Sequence, residues 1–389
     1  MDKVRIGIVG MGNMGTEHAK YIYRGEIPQA ELAAVCDIKP ERLKAAEEAS
    51  PGISAFLDYD EMLSSGKIDA VIVATPHYEH PPQSIKALKK KIHVMCEKPI
   101  GVYTKHAAEL IKAADEMGKQ GVVFGIMYNE RTSPIYKKIK EMVDGGELGK
   151  IIRTNWIITS WFRSQRYYDS GGWRATWSGE GGGVLINQAP HQLDLWQWIC
   201  GMPSKVMAFC GEGKWHDIEV EDDVTAYVTY PNGATGLFVT STGEAPGTNR
   251  FEITGDNGKM VCEDDKLVFF KNKQAVSYFI KNSNEGFKKP DCDEIEIKVD
   301  GDYPRHKGVV EAFANKILGK GELIAGGNEG INGLALSNAM HLSSWLGREV
   351  HLPIDEDLFL AELQKRIGSS KTKENVVEEV AADMTSSRA

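Results

Sequence analysis

A glycine-rich segment near the N-terminus has the residue types and the spacing needed to bind a dinucleotide. Gly10-Met11-Gly12-Asn13-Met14-Gly15 matches the pattern G-x-G-x-x-G and directly follows an apolar run at Val4–Val9. The first glycine of this pattern permits a tight turn, the second lets the backbone approach a pyrophosphate, and the third lets a helix pack on the strand. The phosphates then face unpaired N–H groups at the helix N-terminus. We therefore predict a cofactor site here rather than a ligand-free turn, formed by Gly10, Gly12, Asn13, Met14 and Gly15.

An acidic residue indicates which dinucleotide this site prefers. Asp37 ends the second predicted strand. An acidic residue about 20 residues after the glycine motif is typical of dinucleotide sites. A carboxylate there accepts hydrogen bonds from a ribose 2′-hydroxyl and repels a 2′-phosphate, so we expect NAD rather than NADP. The alternative role for Asp37 is a helix cap before Pro40. Ala74-Thr75-Pro76 follows a later strand and should lie at the same edge of the sheet, along the cofactor.

Strands and helices alternate over residues 1–125, which we predict to be one domain. The strands are apolar along nearly their whole length, as expected for parallel strands covered on both faces. They are predicted at Val4–Val9, Leu32–Cys36, Ile68–Ala74, Ile92–Cys96 and Gly121–Ile126. The helices between them are predicted at Gly15–Tyr23, Pro40–Ala49, Pro82–Lys90 and Thr104–Gly118. Such alternation predicts a doubly wound parallel sheet, an α/β architecture.

From residue 126 the pattern changes to strands with alternating polar and apolar residues, which favours a mostly antiparallel sheet. Pro231-Asn232-Gly233 predicts a hairpin between two of these strands. The strands are predicted at Ile151–Thr159, Lys205–Gly211, Val224–Tyr230, Ala234–Thr240, Phe251–Thr254 and Lys266–Phe270. The helices are predicted at Pro134–Val143, Gln188–Cys200, Lys307–Leu318 and Gly330–Leu346, and we expect the last two to return to the first domain. The chain becomes polar after Gly368, and we expect its last twenty or so residues to be mobile.

The composition excludes several classes of protein. Hydrophobic residues make up 42% and charged residues 26% of the 389 residues, as in ordinary globular proteins. The net charge of −9 argues against a nucleic-acid surface, and no apolar run approaches the roughly 18 residues of a membrane-spanning helix. The six cysteines are dispersed without a Cys-x-x-Cys pair, which is typical of reduced thiols in the cytoplasm. We therefore predict a cytoplasmic protein whose partner is a small molecule, not a nucleic acid or a membrane.

Further motifs resemble those of one oxidoreductase family. Glu97-Lys98-Pro99 directly follows a predicted strand, and Gly181-Gly182-Gly183 leads to His191 and Asp194. With the glycine-rich loop and Ala74-Thr75-Pro76, which continues to His80, the sequence resembles the Gfo/Idh/MocA family, the relatives of glucose–fructose oxidoreductase and inositol dehydrogenase, over residues 4–353. The resemblance extends the expected cofactor site to Thr75, Pro76, His77, His80, Glu97 and Lys98.

The resemblance also implies a domain organisation. It implies a Rossmann domain over residues 1–125 and an α+β domain with a large open, mostly antiparallel sheet over residues 126–355. Residues 356–389 remain as a C-terminal extension. In the family the open sheet usually forms an oligomer interface, so we expect a homo-oligomer, either a dimer, a tetramer or a hexamer.

Catalytic residues follow from the same resemblance. It implies that Lys98 lies at the nicotinamide near the reacting hydroxyl, that His191 is the general base, and that Asp194 is the acidic residue of the same helix. Asn187 stands where many inositol dehydrogenases carry Asp. An amide can hold a sugar hydroxyl but cannot take up a proton, so the proton transfer depends more heavily on His191.

These residue types also suit the chemistry on their own account. Oxidation of a secondary alcohol moves a hydride to the nicotinamide while the hydroxyl proton leaves, and a neutral imidazole can accept that proton. An ammonium group stabilises the developing alkoxide. The charge of Lys98 favours a neutral His191 whereas Asp194 opposes it, and the sequence leaves this balance open. The alternatives are that Lys98 is a solvated charge, that His191 caps a helix, or that the pair His77/His80 or His191/Asp194 binds a metal. Without a third ligand we predict no metal.

An aromatic and basic stretch before the glycine triplet is the candidate substrate site. Residues 161–168 read Trp-Phe-Arg-Ser-Gln-Arg-Tyr-Tyr and are followed by Trp173-Arg174. Sugar rings pack their C–H faces on aromatic side chains, and their hydroxyls need hydrogen bonds. We predict that Arg163, Tyr168, Trp173 and Arg174 line the substrate cleft; alternatively this loop is ordered against its own domain or a neighbouring subunit.

Together these features predict an NAD-dependent dehydrogenase that oxidises a secondary ring hydroxyl of a sugar, glycoside or cyclitol. The aromatic loop and Asn187 are similar to the branch of the family that oxidises the 3-hydroxyl of glucosides. Inositol dehydrogenase is one alternative, and a redox-neutral NAD-dependent glycosidase, which releases free sugar without net NADH, is another. A non-catalytic NAD-binding sugar sensor is a third, disfavoured because Lys98 and His191 are both present.

Overall fold

The computed structural model describes residues 2–371, 373 and 376. Six strands form the N-terminal sheet: β1 Val4–Val9, β2 Ala30–Cys36, β3 Ser54–Phe56, β4 Ala70–Val73, β5 His93–Cys96 and β6 Phe124–Ile126. All pair in parallel, in the order β3-β2-β1-β4-β5-β6. The helices between them are α1 Asn13–Tyr23, α2 Pro40–Ala49, α3 Tyr59–Ser64, α4 His80–Lys89 and α5 Thr104–Gly118. The predicted doubly wound parallel sheet is confirmed, and its strand order reverses between β1 and β4, where such sheets bind their ligands.

The second sheet is mixed and mostly antiparallel, as predicted. Its strands are β7 Ile151–Ile158, β8 Lys205–Glu212, β9 Glu221–Thr229, β10 Thr235–Ser241, β11 Asn249–Gly255, β12 Gly258–Glu263, β13 Lys266–Asn272, β14 Cys292–Ile297 and β15 Val350–His351. They lie in the order β14-β13-β12-β11-β7-β10-β9-β8-β15, and β7 pairs with β10 in parallel while the other neighbours are antiparallel. Four strands were not predicted: β3 and β15 are only three and two residues long, β14 is a polar edge strand, and the apolar run Met260-Val261-Cys262 of β12 shows no alternation.

The hairpin at Pro231-Asn232-Gly233 joins β9 to β10. The N–H of Gly233 donates to the Tyr230 carbonyl at 3.0 Å, and Tyr230 in turn donates to the Ala234 carbonyl at 2.8 Å. Gly233 has φ 85°, in the left-handed region that glycine adopts without steric cost. The tight turn therefore sets the register in which Thr235 pairs with Thr229.

Seven α-helices lie in the described part of the chain after β6. They are α6 Pro134–Asp144, α7 Gln165–Asp169, α8 Pro190–Cys200, α9 Val276–Asn282, α10 Arg305–Ile317, α11 Gly330–Leu346 and α12 Glu356–Ser369. α10 packs Val309, Val310 and Phe313 into the same apolar cluster as Ile6 and Ile8 of β1. α11 packs mainly against β8 and α8, so it covers the second sheet, and it reaches the first domain through α5 and through Asn338, whose Nδ2 donates to the Val102 carbonyl at 3.0 Å.

Among the described residues, no helix has both the length and the apolar character needed to cross a membrane. The predicted mobile C-terminus falls outside the described residues, apart from 370, 371, 373 and 376, and the domain boundary at residues 125/126 stays a prediction.

Candidate active site

A cleft of about 2180 Å³ brings most of the predicted site residues together. It runs along the carboxyl ends of β1, β2, β4 and β5 and is closed on its other side by residues 161–192 and by the start of α10. Small-molecule pockets commonly measure about 300–1,000 Å³. The cleft therefore has room for a dinucleotide and a second, smaller molecule at the same time.

The glycine-rich loop has the geometry of a phosphate-binding turn. Gly10 has φ 92°, and a Cβ there would lie 2.6 Å from the Ala74 carbonyl oxygen. A Cβ at Gly15 would lie 1.9 Å from the Gly10 carbonyl oxygen, so only glycine lets α1 start this close to β1. A Cβ at Gly12 would meet no atom within 4 Å, because Gly12 faces the open cleft. The backbone at Gly12 is thus free for close approach by a pyrophosphate, and the residues fit a dinucleotide.

Asp37 lies at the carboxyl end of β2 and is buried. Its Oδ2 accepts the Met11 N–H at 2.7 Å, and its Oδ1 accepts the Lys39 N–H at 2.9 Å. Arg42 Nη1 lies 3.4 Å from Oδ2. The carboxylate therefore ties the glycine-rich loop to the end of β2 and still faces the cleft, where a ribose would lie.

Two loops at the sheet edge are joined by histidines. Nδ1 of His80 lies 2.6 Å from the Pro99 carbonyl oxygen, and Nε2 lies 2.7 Å from that of Thr75. His77 Nδ1 lies 3.1 Å from the Glu180 carbonyl oxygen, across the cleft. Thr75, Pro76, His77 and His80 all line the cleft, as do Asn13 and Met14, whereas Gly15 packs beneath it.

Glu97 and Lys98 occupy the end of β5. Glu97 is buried and lies 2.6 Å from Nε2 of His18. Burial alone would raise the pKa of Glu97, but the His18 hydrogen bond and the nearby charges of His18, His306 and Lys98 lower it to about 2. Glu97 is therefore a carboxylate beneath the lysine, and its negative charge favours the ammonium form of Lys98.

Lys98 reaches across the cleft to the segment before α8. Its Nζ donates to the Asn187 backbone carbonyl at 2.7 Å. Burial lowers the pKa of Lys98, while the carboxylates of Glu97 and Glu180 oppose that change. The lysine of the first domain and Asn187 of the second are thus in direct contact.

His191 lies in the first turn of α8 and also lines the cleft. Burial lowers its pKa well below the ordinary value, and the positive charge of Lys98 acts in the same direction. Its Nδ1 has no hydrogen-bond partner in the described part of the chain. The imidazole is therefore neutral at neutral pH, which resolves the balance that the sequence left open.

Asp194 lies on the same helix but not in the cleft. Arg131 forms a bidentate ion pair with it, with Nε 2.8 Å from Oδ2 and Nη2 2.7 Å from Oδ1. Both side chains are at most 2% exposed, and Gln197 adds a third hydrogen bond at 3.0 Å. Both carboxylate oxygens are engaged and Asp194 does not line the cleft, so the structure places it in a buried ion pair that holds α8 and not at the catalytic position that the resemblance implied.

The structure brings three of the four candidate substrate residues to the cleft and places the fourth elsewhere. Arg163, Trp173 and Arg174 line the cleft. Tyr168 is 2% exposed, and its hydroxyl bonds Thr242 Oγ1 at 2.7 Å on the far side of α7. Tyr167 faces the cleft in its place, with its hydroxyl 2.7 Å from Arg174 Nη1. A change of one residue turns a side chain by about 100° around a helix, and the pattern of this short segment does not define that register.

The sequence analysis missed several further residues of the site. Glu180 is a fully buried carboxylate beside the glycine triplet, and Gln188 donates to the Tyr167 hydroxyl at 3.1 Å. His306 enters the cleft from α10, and burial lowers its pKa to about 4. Glu180 and Gln188 lie close to predicted motifs, which was their only signal in the sequence. His306 had no such signal. Among the described residues, no group of three or more His, Cys, Asp or Glu side chains is arranged to hold a metal ion.

Comparison with protein families identifies the chain. Residues 4–125 match the model described as an oxidoreductase family with an NAD-binding Rossmann fold. Residues 136–261 match the GFO/IDH/MocA C-terminal domain. The chain belongs to the GFO/IDH/MocA oxidoreductase family. The predicted resemblance is thereby confirmed, and residues 4–125 form the NAD-binding Rossmann domain of this family member.

Individual relatives show what this GFO/IDH/MocA protein is similar to. A D-glucoside 3-dehydrogenase of Escherichia coli K12 is 28% identical over 90% of this chain and 97% of its own length. A myo-inositol 2-dehydrogenase of Thermotoga maritima is 27% identical over 73% of this chain and 89% of its own length. Other inositol dehydrogenases align over a shorter stretch; that of an Arthrobacter species is 32% identical, but this chain spans only 44% of its length.

A solved structure supports the same fold over nearly the whole chain. The WlbA dehydrogenase of Bordetella pertussis, in complex with NADH and UDP-GlcNAcA, is 30% identical and has a TM-score of 0.75. The similarity covers 91% of this chain and 100% of that one.

Proposed function

We propose that this oxidoreductase moves a hydride between a secondary ring hydroxyl of a sugar, glycoside or cyclitol and NAD. The observation that carries the proposal is that Lys98 and His191, from different halves of the chain, line the same cleft as the glycine-rich loop. The relatives that act on a glucoside and on an inositol support a ring polyol as the substrate class. The 3-hydroxyl of a glucoside is the favoured position, because the glucoside dehydrogenase matches most of the chain.

Each residue has a role that its surroundings support. Bound NAD supplies the hydride acceptor. His191, neutral because it is buried beside Lys98, takes up the hydroxyl proton as the hydride leaves. The ammonium of Lys98, held by the Asn187 carbonyl, stabilises the charge that develops on the oxygen. Asp194 serves as a positioning residue that holds α8, and therefore His191, through Arg131.

The preference for NAD over NADP rests on Asp37. Its carboxylate is buried at the end of β2, where it faces the ribose end of the cleft. A 2′-phosphate placed there would meet this negative charge, while a 2′-hydroxyl could donate to it. Replacement of Asp37 by Ser should therefore reduce the preference for NAD.

Two further properties belong to the proposal. We infer a homo-oligomer formed through the outer face of the second sheet, which exposes apolar side chains on adjacent strands. These are Ile157 on β7, Phe209 on β8, Tyr227 on β9 and Leu237 on β10. A cytoplasmic location agrees with the six cysteines, which are all free thiols.

A screen of polyols tests the proposed function. Methyl D-glucosides, free sugars and myo-inositol are incubated with NAD or NADP, and nicotinamide absorbance is followed. We expect NADH to form with at least one ring polyol, and Lys98→Ala to lose about 10²–10³-fold or more in turnover while it still binds NADH. Lys105→Ala, on the surface of α5, is the matched control. Free sugar released from a glucoside without net NADH would favour the glycosidase alternative, and turnover unchanged in Lys98→Ala would refute the assigned role.

A further inference from the structure

Glu180 is a buried carboxylate to which the dehydrogenase chemistry assigns no role. It is 1% exposed and lies between the substrate-side loop and the glycine triplet. Burial raises its pKa, and the Arg174 charge and the hydrogen bonds from Ala175 and Asn187 oppose that rise. A carboxylate at such a depth is costly unless its oxygens are engaged, so its partners indicate why it is there.

Each oxygen of Glu180 has a partner on a segment that lines the cleft. Oε1 accepts a hydrogen bond from Nδ2 of Asn187 and lies 3.8 Å from Nη1 of Arg174. Oε2 accepts the Ala175 N–H at 2.5 Å. Ala175 has φ 54°, in the left-handed region that residues with a Cβ rarely adopt. The carboxylate thus stabilises the turn that carries Arg174 and fixes the Asn187 side chain at once.

The hydrogen bonds around Tyr167 have a definite direction. Its hydroxyl oxygen accepts from Arg174 Nη1 at 2.7 Å and from Gln188 Nε2 at 3.1 Å. A phenol has two acceptor sites, so its own proton remains to be donated. It is directed at Asn187 Oδ1, at 3.5 Å, a long contact at the wall of the cleft. The amide oxygen faces this way because Glu180 takes the amide NH₂.

We propose that Glu180 is a positioning residue for specificity: by orienting the Asn187 amide, it places an acceptor beside the Tyr167 donor, and the two read a second hydroxyl of the substrate. A hydroxyl between them donates to Asn187 Oδ1 and accepts from Tyr167, whereas a deoxygenated carbon leaves the two groups only their long 3.5 Å contact with each other. Sites of this kind discriminate strongly against analogues that lack the group. The inference rests on the proposed function, since the second hydroxyl belongs to the ring whose first hydroxyl reaches His191.

Exchanging amide and carboxylate tests this arrangement. In Glu180→Gln, the oxygen of the introduced amide stays with the Ala175 N–H, so its NH₂ meets the NH₂ of Asn187 and the Asn187 amide must turn. The acceptor in the cleft then becomes a donor. In the double variant E180Q/N187D, the amide introduced at position 180 can donate to the carboxylate introduced at position 187. Because both oxygens of that carboxylate are acceptors, one of them faces Tyr167 in either orientation of the group. In N187D alone, two carboxylates face each other, which is unfavourable.

Kinetics on methyl D-glucosides and myo-inositol give the first readout. We expect E180Q and N187D each to lose about tenfold or more in kcat/KM, with NADH affinity unchanged in a fluorescence titration. E180Q/N187D should recover most of the loss. Full activity of E180Q, or a double variant no better than E180Q, would overturn the proposal, because the rescue requires the two side chains to act through their shared hydrogen bond.

A second readout does not require turnover. In protein labelled with ¹⁵N-asparagine and saturated with NADH, the Asn187 side-chain amide resonance is identified by its absence in N187D. We expect E180Q to shift this resonance, and an unshifted resonance would overturn the positioning role. If none of the polyols is oxidised while the resonance shifts, the proposed function fails and the positioning of Asn187 stands.

Discussion

At the scale of single residues, the site depends on charges that burial has altered. Burial lowers the pKa of both His191 and Lys98, while Glu97 stays ionised with a pKa of about 2. An imidazole near a cation stays neutral, and a lysine above a carboxylate keeps its proton more readily. Under the proposed function, His191 is therefore the proton acceptor and Lys98 the stabilising cation, the two roles that alcohol oxidation needs.

The ionisation of His191 predicts the acidic side of the pH–rate profile. Protonated imidazole cannot accept the hydroxyl proton, and the folded-state pKa lies well below the ordinary value of about 6.5. We expect kcat for polyol oxidation to show no decrease attributable to His191 between about pH 8 and 6.5, and to decrease only at lower pH. His191→Gln should lose most of its activity together with this acidic limb. An acidic limb centred at or above pH 7 that disappears in His191→Gln would contradict the assignment.

At the scale of elements, the loop from β1 to α1 separates glycines needed for folding from the one needed for binding. Gly10 and Gly15 are enclosed by backbone atoms, whereas Gly12 faces only the cleft. The backbone of Gly12 has φ −76°, which any residue can adopt. The fold therefore does not require a glycine at this position, and we infer that the ligand does.

This difference gives a matched pair of variants. Gly12→Ala should weaken NADH binding about tenfold or more while Tm stays unchanged, since its Cβ projects into the space for the pyrophosphate. Gly15→Ala should lower Tm by several degrees, because its Cβ would meet the Gly10 carbonyl oxygen at 1.9 Å. Fluorescence titration and calorimetry measure the two effects. A large Tm decrease in Gly12→Ala with intact NADH binding would be the opposite of this expectation.

At the scale of the whole molecule, several buried histidines make stability sensitive to acid. Burial lowers the folded-state pKa of His77, His93, His191 and His306, and the last falls to about 4. In the unfolded chain these side chains titrate at about pH 6.5, so below that pH the unfolded state binds more protons. Their contribution to stability is present above about pH 6.5 and is lost as the pH falls. We expect calorimetric Tm to decrease between about pH 6.5 and 5, and a Tm that rises over this interval would contradict the argument.

The outer face of the second sheet predicts how subunits associate. Phe209 is 66%, Tyr227 46% and Leu237 41% exposed on neighbouring strands, and contiguous apolar surface of this kind is typical of interfaces. Light scattering after size-exclusion chromatography should give a multiple of the monomer mass, and Leu237→Glu should reduce it. Tyr23→Glu, on the exposed side of α1, should leave the mass unchanged. A monomeric native protein would refute the proposed oligomer.

The sequence by itself determined the features whose signal is local. The glycine spacing, the apolar runs of β1 and β4, and the Pro231-Asn232-Gly233 turn follow from backbone and side-chain rules that act within a few residues, and these predictions are confirmed. The motifs around Lys98 and His191 marked both as site candidates, and both lie in the cleft.

Only the tertiary structure decided which side chains meet. Glu180 contacts Asn187 and Arg174, Arg131 captures Asp194, and Tyr167 rather than Tyr168 faces the cleft. These contacts depend on how segments that are distant in the chain pack and on the rotation of the short helix α7. They also depend on which buried acceptors still lack a hydrogen-bond donor. Long-range packing produces no periodic pattern in the sequence, and neither does the competition of buried polar groups for hydrogen-bond partners. The partners of these residues could therefore be identified only from the tertiary structure.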